Sequence, residues 1–167
     1  MVIHLPFFWM ILLDFVMWFI FHMGISLWIM KVPDEWFAKT ETGFRSRSWE
    51  KNGEIWHQLF RIRDWKKYLP DGSMIVKHAY NKTNLQGISL NSLEKFIIET
   101  KRAELTHWAL IPPALLFFLW NPWWIGWCMV AYALVANLPF IVAQRYNRPR
   151  LERLYQVMVR REKRKSK

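Results

Sequence analysis

A single cysteine, Cys128, in 167 residues excludes an internal disulfide, and no Cys/His spacing suited to zinc accompanies it. Glycine is scarce, with six residues. There is no Gly-x-Ser-x-Gly elbow, phosphate-binding loop or dinucleotide fingerprint. Acid is scarce too: 13 Asp/Glu against 24 Lys/Arg leave a net charge of +11. Charged residues make up only 22% of the chain and hydrophobic ones 53%, which excludes a disordered chain and leaves room for one compact unit. No internal repeat and no linker composition divides it.

Aromatic rings are abundant, with 12 Trp and 12 Phe, a composition suited to the membrane boundary. The apolar residues collect in two blocks, 3–30 and 105–143. The polar stretch between them accounts for a mean hydropathy near zero. Charge separates in the same way. Residues 31–104 carry 14 basic and 10 acidic side chains, and residues 145–167 carry 10 and 2. A basic tail directly behind an apolar segment reads as cytoplasmic anchoring to anionic lipid rather than as a nucleic-acid arm.

Residues 3–29 are long enough for one tilted helix across a core of ~30 Å. They lack the basic start and small-residue cleavage site of a signal peptide, so an uncleaved span is expected. In the second block, Asn121-Pro122 lies among Trp120, Trp123 and Trp124, which marks a turn at the headgroup level. Residues 105–119 and 123–143 then form a hairpin, kinked at Pro112, Pro113 and Pro139. Asn91 with Glu94 resembles a capping box, so the first limb is expected to run as one helix from Ser92 to about Phe118. The positive-inside rule puts the tail and the middle region, with Arg61, Arg63, Lys66 and Lys67, on the cytoplasmic side, and the N-terminus outside.

The expected fold is therefore all-α: a small polytopic membrane protein of about three transmembrane helices in a single membrane domain. Residues 31–104 form its cytoplasmic and interfacial region, and 145–167 its basic tail. Within that region Ile55, Trp56, Leu59 and Phe60 share one helical face flanked by Arg61 and Arg63, which suggests a helix lying in the interface, with a turn at Leu69-Pro70-Asp71-Gly72. Leu151, Leu154, Tyr155 and Met158 give the tail a short amphipathic stripe, and 163–167 look disordered.

Ionisable groups concentrate where the hairpin enters and leaves the bilayer. In Glu99-Thr100-Lys101-Arg102-Ala103-Glu104-Leu105-Thr106-His107-Trp108, helical spacing puts Thr100, Glu104 and His107 on one face and Glu99, Arg102 and Thr106 on the next. His107 with Glu104 at i and i+3 is the pairing a general base requires, although charges at a helix entry also pair or snorkel for stability alone. In Gln144-Arg145-Tyr146-Asn147-Arg148-Pro149-Arg150 the arginines suit a phosphate or an oxyanion, and positive-inside anchoring explains their charge equally well. Gln144, Tyr146 and Asn147 add hydrogen bonds rather than charge. Asp14 and His22 lie near one face of the first span and are candidates as intramembrane ionisable groups; Asp14 can instead pair with a polar group of the hairpin such as Asn137. His57 and Asp64 are six residues apart rather than the four of a His-x4-Asp box. Cys128 is read as packing rather than as a nucleophile.

These two motifs, with Ala136-Asn137-Leu138-Pro139 between them and Val32-Pro33-Asp34, Trp65-Lys66 and Asp71-Gly72 before them, closely resemble the glycosyl-4,4'-diaponeurosporenoate acyltransferase family, over residues 31–151. The resemblance implies a bacterial cell-membrane enzyme of staphyloxanthin-type carotenoid biosynthesis that esterifies the glucose C6 hydroxyl of a glycosylated C30 carotenoate. It implies a fatty acyl donor as co-substrate (acyl-CoA, acyl carrier protein or phospholipid) and no cofactor or metal. On that reading His107 is the base and Glu104 its carboxylate. Glu99, Lys101, Arg102, Gln144, Arg145, Asn147 and Arg148 bind substrate, oxyanion or phosphate. The partners are membrane lipid, substrate and donor, with a second copy or other pathway enzymes compatible and nucleic acid excluded. A non-catalytic subunit that holds carotenoid or lipid, and an acyltransferase for another glycolipid, are the alternatives.

Overall fold

The computed structural model describes residues 6–65 and 89–165. Lys66, Lys67 and the Leu69-Pro70-Asp71-Gly72 turn lie outside them. Every regular element among the described residues is a helix: α1 (Phe7–Met30), α2 (Asp34–Lys39), the 3-10 helix η1 (Ser48–Gly53), α3 (Glu54–Phe60), α4 (Ile62–Trp65), α5 (Leu90–Ala109), the 3-10 helix η2 (Pro112–Leu119) and α6 (Trp123–Lys165). The chain folds as two compact units. One contains residues 1–33 and 102–141; the other contains 34–101 and 142–167.

The first unit is the apolar one. α1 is hydrophobic all round, which suits a helix in lipid rather than a surface helix in water. Phe7, Phe8, Phe15, Phe19 and Trp28 point outward. Its other side packs on η2 and the start of α6. Met10, Phe117 and Trp120 form the core there, and Leu13, Met17, Trp18, Phe21, Ile125 and Met129 close around it. Trp18 stacks on Phe117 with ring centroids 4.8 Å apart, and its Nε1 donates to Met129 Sδ at 3.4 Å.

Two helices, α1 and α6, are long and apolar enough to cross a membrane, where the sequence suggests about three spans. The expected span 105–119 is not one helix. α5 ends at Ala109, and after a turn the chain resumes as η2. The cause is Pro112-Pro113, which brings two successive residues without a backbone N–H and so removes two consecutive helical donors. The expected helix from Ser92 to about Phe118 fails for the same reason. Its start also moves. Ser89 Oγ accepts the backbone N–H of Ser92 at 3.1 Å, so the cap is a serine two residues before Asn91. The turn at Trp120 and Asn121 is where the sequence places it.

α6 is continuous past both Pro139 and Pro149, and it carries the basic tail as helix to Lys165, so the disorder suggested from 163 onward does not begin there. The suggested interfacial helix is also modified. Arg61 adopts a left-handed backbone (φ 49) and splits it into α3 and α4.

Candidate functional site

Two polar clusters lie within the apolar unit. Asp14, 7% exposed, accepts Trp120 Nε1 at 2.7 Å and Asn121 Nδ2 at 2.8 Å, which ties the middle of α1 to the turn before α6. The hairpin partner of Asp14 is therefore this turn and not Asn137. His22 turns back on its own helix, with Nδ1 2.9 Å from Trp18 O.

The second cluster is built on His107 near the end of α5. Its Nδ1 lies 2.9 Å from Asn137 Oδ1 on α6, and its ring stacks on Phe140 with centroids 4.5 Å apart and planes 10° from parallel. Asn137, 2% exposed, commits its Nδ2 to Ala133 O at 2.8 Å, so its oxygen is what faces the imidazole. That fixes the tautomer: a neutral His107 carries its proton on Nδ1, donates it to Asn137, and presents the Nε2 lone pair. Two constraints, one hydrogen bond and one ring stack, hold the plane of the imidazole. Glu104, the carboxylate expected beside it, is buried and accepts Trp108 Nε1 at 3.4 Å. Sequence reasoning offered Asn137 to Asp14 instead; its place opposite His107, 30 residues away, has no local signature.

Arg102 belongs to the same unit and caps α1. Its Nη1 donates to Ile29 O at 3.0 Å and Val32 O at 2.8 Å. α1 has no basic residue in its last turn, so the guanidinium supplies the charge its C-terminal carbonyls favour.

The polar unit holds the other sequence candidates. Lys101 Nζ donates to Phe37 O at 2.8 Å and Thr40 O at 3.2 Å at the end of α2. Burial and the neighbouring Arg148 guanidinium hold this ammonium below its ordinary range. Arg148, 2% exposed, donates through Nε to Thr100 Oγ1 at 3.0 Å, through Nη2 to Thr100 O at 3.0 Å, and through Nη1 to Phe44 O at 2.7 Å. Arg145 grips Glu50 with Nε at 2.6 Å and Nη2 at 3.1 Å. Glu50, 1% exposed, also accepts Arg47 N–H and Trp56 Nε1. Burial alone would raise the Glu50 carboxyl, but Arg145 and the other donors outweigh it and hold the group below its ordinary value. Gln144 and Asn147 are buried, while Glu99 is exposed. Each of these arginines and the lysine thus satisfies backbone carbonyls or a carboxylate of its own unit.

Two further ties close the polar unit. Glu54 receives Arg63 at 2.9 Å and Arg150 at 2.6 Å, and Tyr146 OH receives Arg63 Nε at 2.8 Å. A cleft of about 500 Å³ opens between α2, α5 and α6, lined in part by Glu41, Arg45, Glu94, Lys101, Glu152 and Tyr155. Burial pushes the Glu152 carboxyl up, against the pull of Arg148 and Lys101. With three carboxyls to two cations, this cleft does not favour a polyanion. Asp64 pairs with Arg61 at 2.9 Å, and His57 Nδ1 is buried without a partner among the described residues. Cys128 is exposed on α6 rather than packed. Among the described residues no group of His, Cys, Asp and Glu has the arrangement of a metal site.

Fold and site together define a small all-helical, membrane-associated protein with a positioned imidazole in its apolar unit. The family model described as glycosyl-4,4'-diaponeurosporenoate acyltransferase matches residues 33–157. Similar proteins include the glycosyl-4,4'-diaponeurosporenoate acyltransferases of Staphylococcus haemolyticus, 40% identical over 88% of this chain and 85% of that one, and of Staphylococcus aureus strain MRSA252, 38% identical over 86% and 87%. No solved structure matches. The chain belongs to the glycosyl-4,4'-diaponeurosporenoate acyltransferase family and is an acyltransferase of carotenoid biosynthesis.

Proposed function

We propose that His107 is the general base of a direct acyl transfer to the glucose C6 hydroxyl of a glycosylated C30 carotenoate. The observation that carries this reading is the His107–Asn137 pair, which leaves Nε2 as the basic nitrogen of an imidazole held in one plane. Nε2 takes the hydroxyl proton as the sugar oxygen attacks the carbonyl of a thioester or ester donor. The tetrahedral intermediate expels the donor's sulfur or oxygen, which takes the proton back from Nε2–H, and the products are the sugar ester and the free donor alcohol or thiol. A positioned base of this kind is worth about 10²–10⁴ in rate. Asn137 positions the ring, the work first assigned to Glu104. No nucleophilic side chain is required, so no acyl-enzyme forms.

An apolar unit of two lipid-compatible helices suits a rigid polyene nearly as long as the bilayer core is thick, with the sugar at the headgroup level. The charge pattern orients the chain with the N-terminus outside and the basic tail in the cytoplasm. The donor is acyl-CoA, acyl carrier protein or a phospholipid.

The test is His107→Ala, with pigment and lipid extracts of producing cells read by mass spectrometry. The acyl ester is expected to disappear and the glycosyl carotenoid with a free hydroxyl to accumulate, at unchanged abundance of the protein in the membrane. Retained ester removes His107 from the chemistry, and a trapped acyl group on the protein overturns direct transfer.

A further inference from the structure

The polar unit displays a largely exposed aromatic plate beside its core. Trp49, Trp56 and Phe60 form a row, with ring centroids 5.5 Å apart for the first pair and 6.2 Å for the second. Trp56, Leu59 and Phe60 share a face of α3 by their spacing of three and four residues. Trp49 is 52% exposed, Leu59 63% and Phe60 51%. The plate is held from behind. Trp56 packs against Ile62, Val142 and Tyr146, and its Nε1 donates to Glu50, which Arg145 clamps. Trp56 therefore has little side-chain freedom to lose when something covers the plate.

The rim of this plate is positive. Residues 45–65 carry five Lys/Arg and three Asp/Glu. All three carboxylates face arginines: Glu50 holds Arg145, Glu54 holds Arg63 and Arg150, and Asp64 holds Arg61. Arg47 and Lys51, exposed on either side of Trp49, are left to set the outward field. Left-handed backbone at Lys51, Asn52 and Arg61 turns the chain sharply at both ends of the plate. Tryptophan rings edged by basic side chains match the layer where acyl chains meet anionic headgroups.

We propose that the Trp49–Trp56–Leu59–Phe60 face, with Arg47 and Lys51 at its rim, is a docking surface for the anionic phospholipid headgroup layer. Chain connection favours this occupant over any soluble partner. The polar unit is joined to the apolar unit at three places along the chain, so a bilayer that holds the apolar unit stays at high effective concentration near the polar one. Each basic side chain at an anionic surface strengthens attraction about fivefold, so the two rim cations together account for about 25-fold.

The test uses the full chain with Cys128→Ser, reconstituted into vesicles of phosphatidylcholine alone or mixed with phosphatidylglycerol. A nitroxide at Leu59→Cys, and in a second variant at Phe60→Cys, reports its accessibility to oxygen and to a water-soluble nickel complex. Because both side chains are already exposed, the labels leave the core intact. Oxygen is expected to reach the labels and nickel to be excluded in phosphatidylglycerol vesicles, and Arg47→Glu with Lys51→Glu is expected to restore nickel access. Equal nickel access in both vesicle types overturns the proposal. Exclusion of both reagents also overturns it, because protein and not lipid then covers the face.

Discussion

Glu50 is a densely bonded side chain of the polar unit, and its removal should be felt by every element it joins. The carboxylate is 1% exposed and receives four hydrogen bonds: two from Arg145, one from the Arg47 backbone and one from Trp56. Replacing one member of a buried ion pair costs ~3–5 kcal/mol, because the desolvation of the other charge is no longer offset. For a chain of this size that corresponds to a fall in melting temperature of about 6–20 °C for Glu50→Ala. Glu50→Gln keeps an acceptor and loses the charge, and should fall about half as far. The carboxyl titrates below its ordinary 4.5 in the folded protein, so its stabilisation is complete above pH 4.5 and drains away as pH falls from there through the folded value. The gap between parent and Glu50→Gln should therefore be constant at neutral pH and close in acid. Thermal unfolding of the detergent-purified protein, followed by circular dichroism across pH, measures both effects. A Glu50→Ala melt within about 2 °C of the parent at pH 7, well under the cost of breaking a buried pair, would refute the reasoning.

Gly53→Ala should destabilise by about 2 kcal/mol, seen in the same melt. Its φ is +85, and an added Cβ would sit 2.9 Å from the carbonyl oxygen of Arg145, a backbone atom that cannot swing away. Asp14→Ala should cost ~2–4 kcal/mol by stranding two buried donors, whereas Asp14→Asn keeps an acceptor for Trp120 and should cost less than half of that; membrane abundance and melting temperature distinguish the two. Ser89→Ala removes the cap of α5 and should cost ~1 kcal/mol, while Asn91→Ala should be close to neutral. Asn137→Ala should lower the turnover number about 10–100-fold with little change in KM, because the imidazole loses its fixed tautomer but no part of the site that binds substrate; an unchanged turnover number would detach Asn137 from the chemistry.

The helical class was legible because two blocks of apolar residues, too long and too ring-rich for strands of a soluble sheet, leave few alternatives. The turn at Asn121 was legible for a local reason, since Asn-Pro and the surrounding tryptophans act within a few residues. Pro112-Pro113 was read as a kink, yet a pair of prolines removes two neighbouring donors, and the chain changes to a 3-10 helix rather than bending within an α-helix. The cap of α5 was displaced because serine and asparagine compete nearly equally for that position, and Ser89 and Asn91 lie two residues apart.

Partnerships of the candidate residues divide along the same line. Helical periodicity put Glu104 and His107 within reach of each other, but periodicity says nothing about what the neighbouring helix offers, and the hydrogen bond of His107 goes to Asn137 on α6. The cations of Lys101-Arg102 and of the Arg145-to-Arg150 segment were visible as charge. That Lys101, Arg102 and Arg148 bond the carbonyls of Phe37, Ile29 and Phe44 was not, because which carbonyls remain available depends on where α1 and α2 end and on the turn that follows α2.

The sequence by itself determined that this chain is helical, membrane-compatible, basic at its C-terminal end and a member of its acyltransferase family, because apolar run length, charge bias and contiguous motifs are properties of neighbouring residues. Only the tertiary structure decided which carbonyl each buried cation satisfies, which residue His107 hydrogen-bonds, and which carboxylate Arg145 holds. Those outcomes depend on desolvation: a buried charge or donor must take whatever partner packing brings to it, and packing joins residues that lie 30 to more than 100 positions apart.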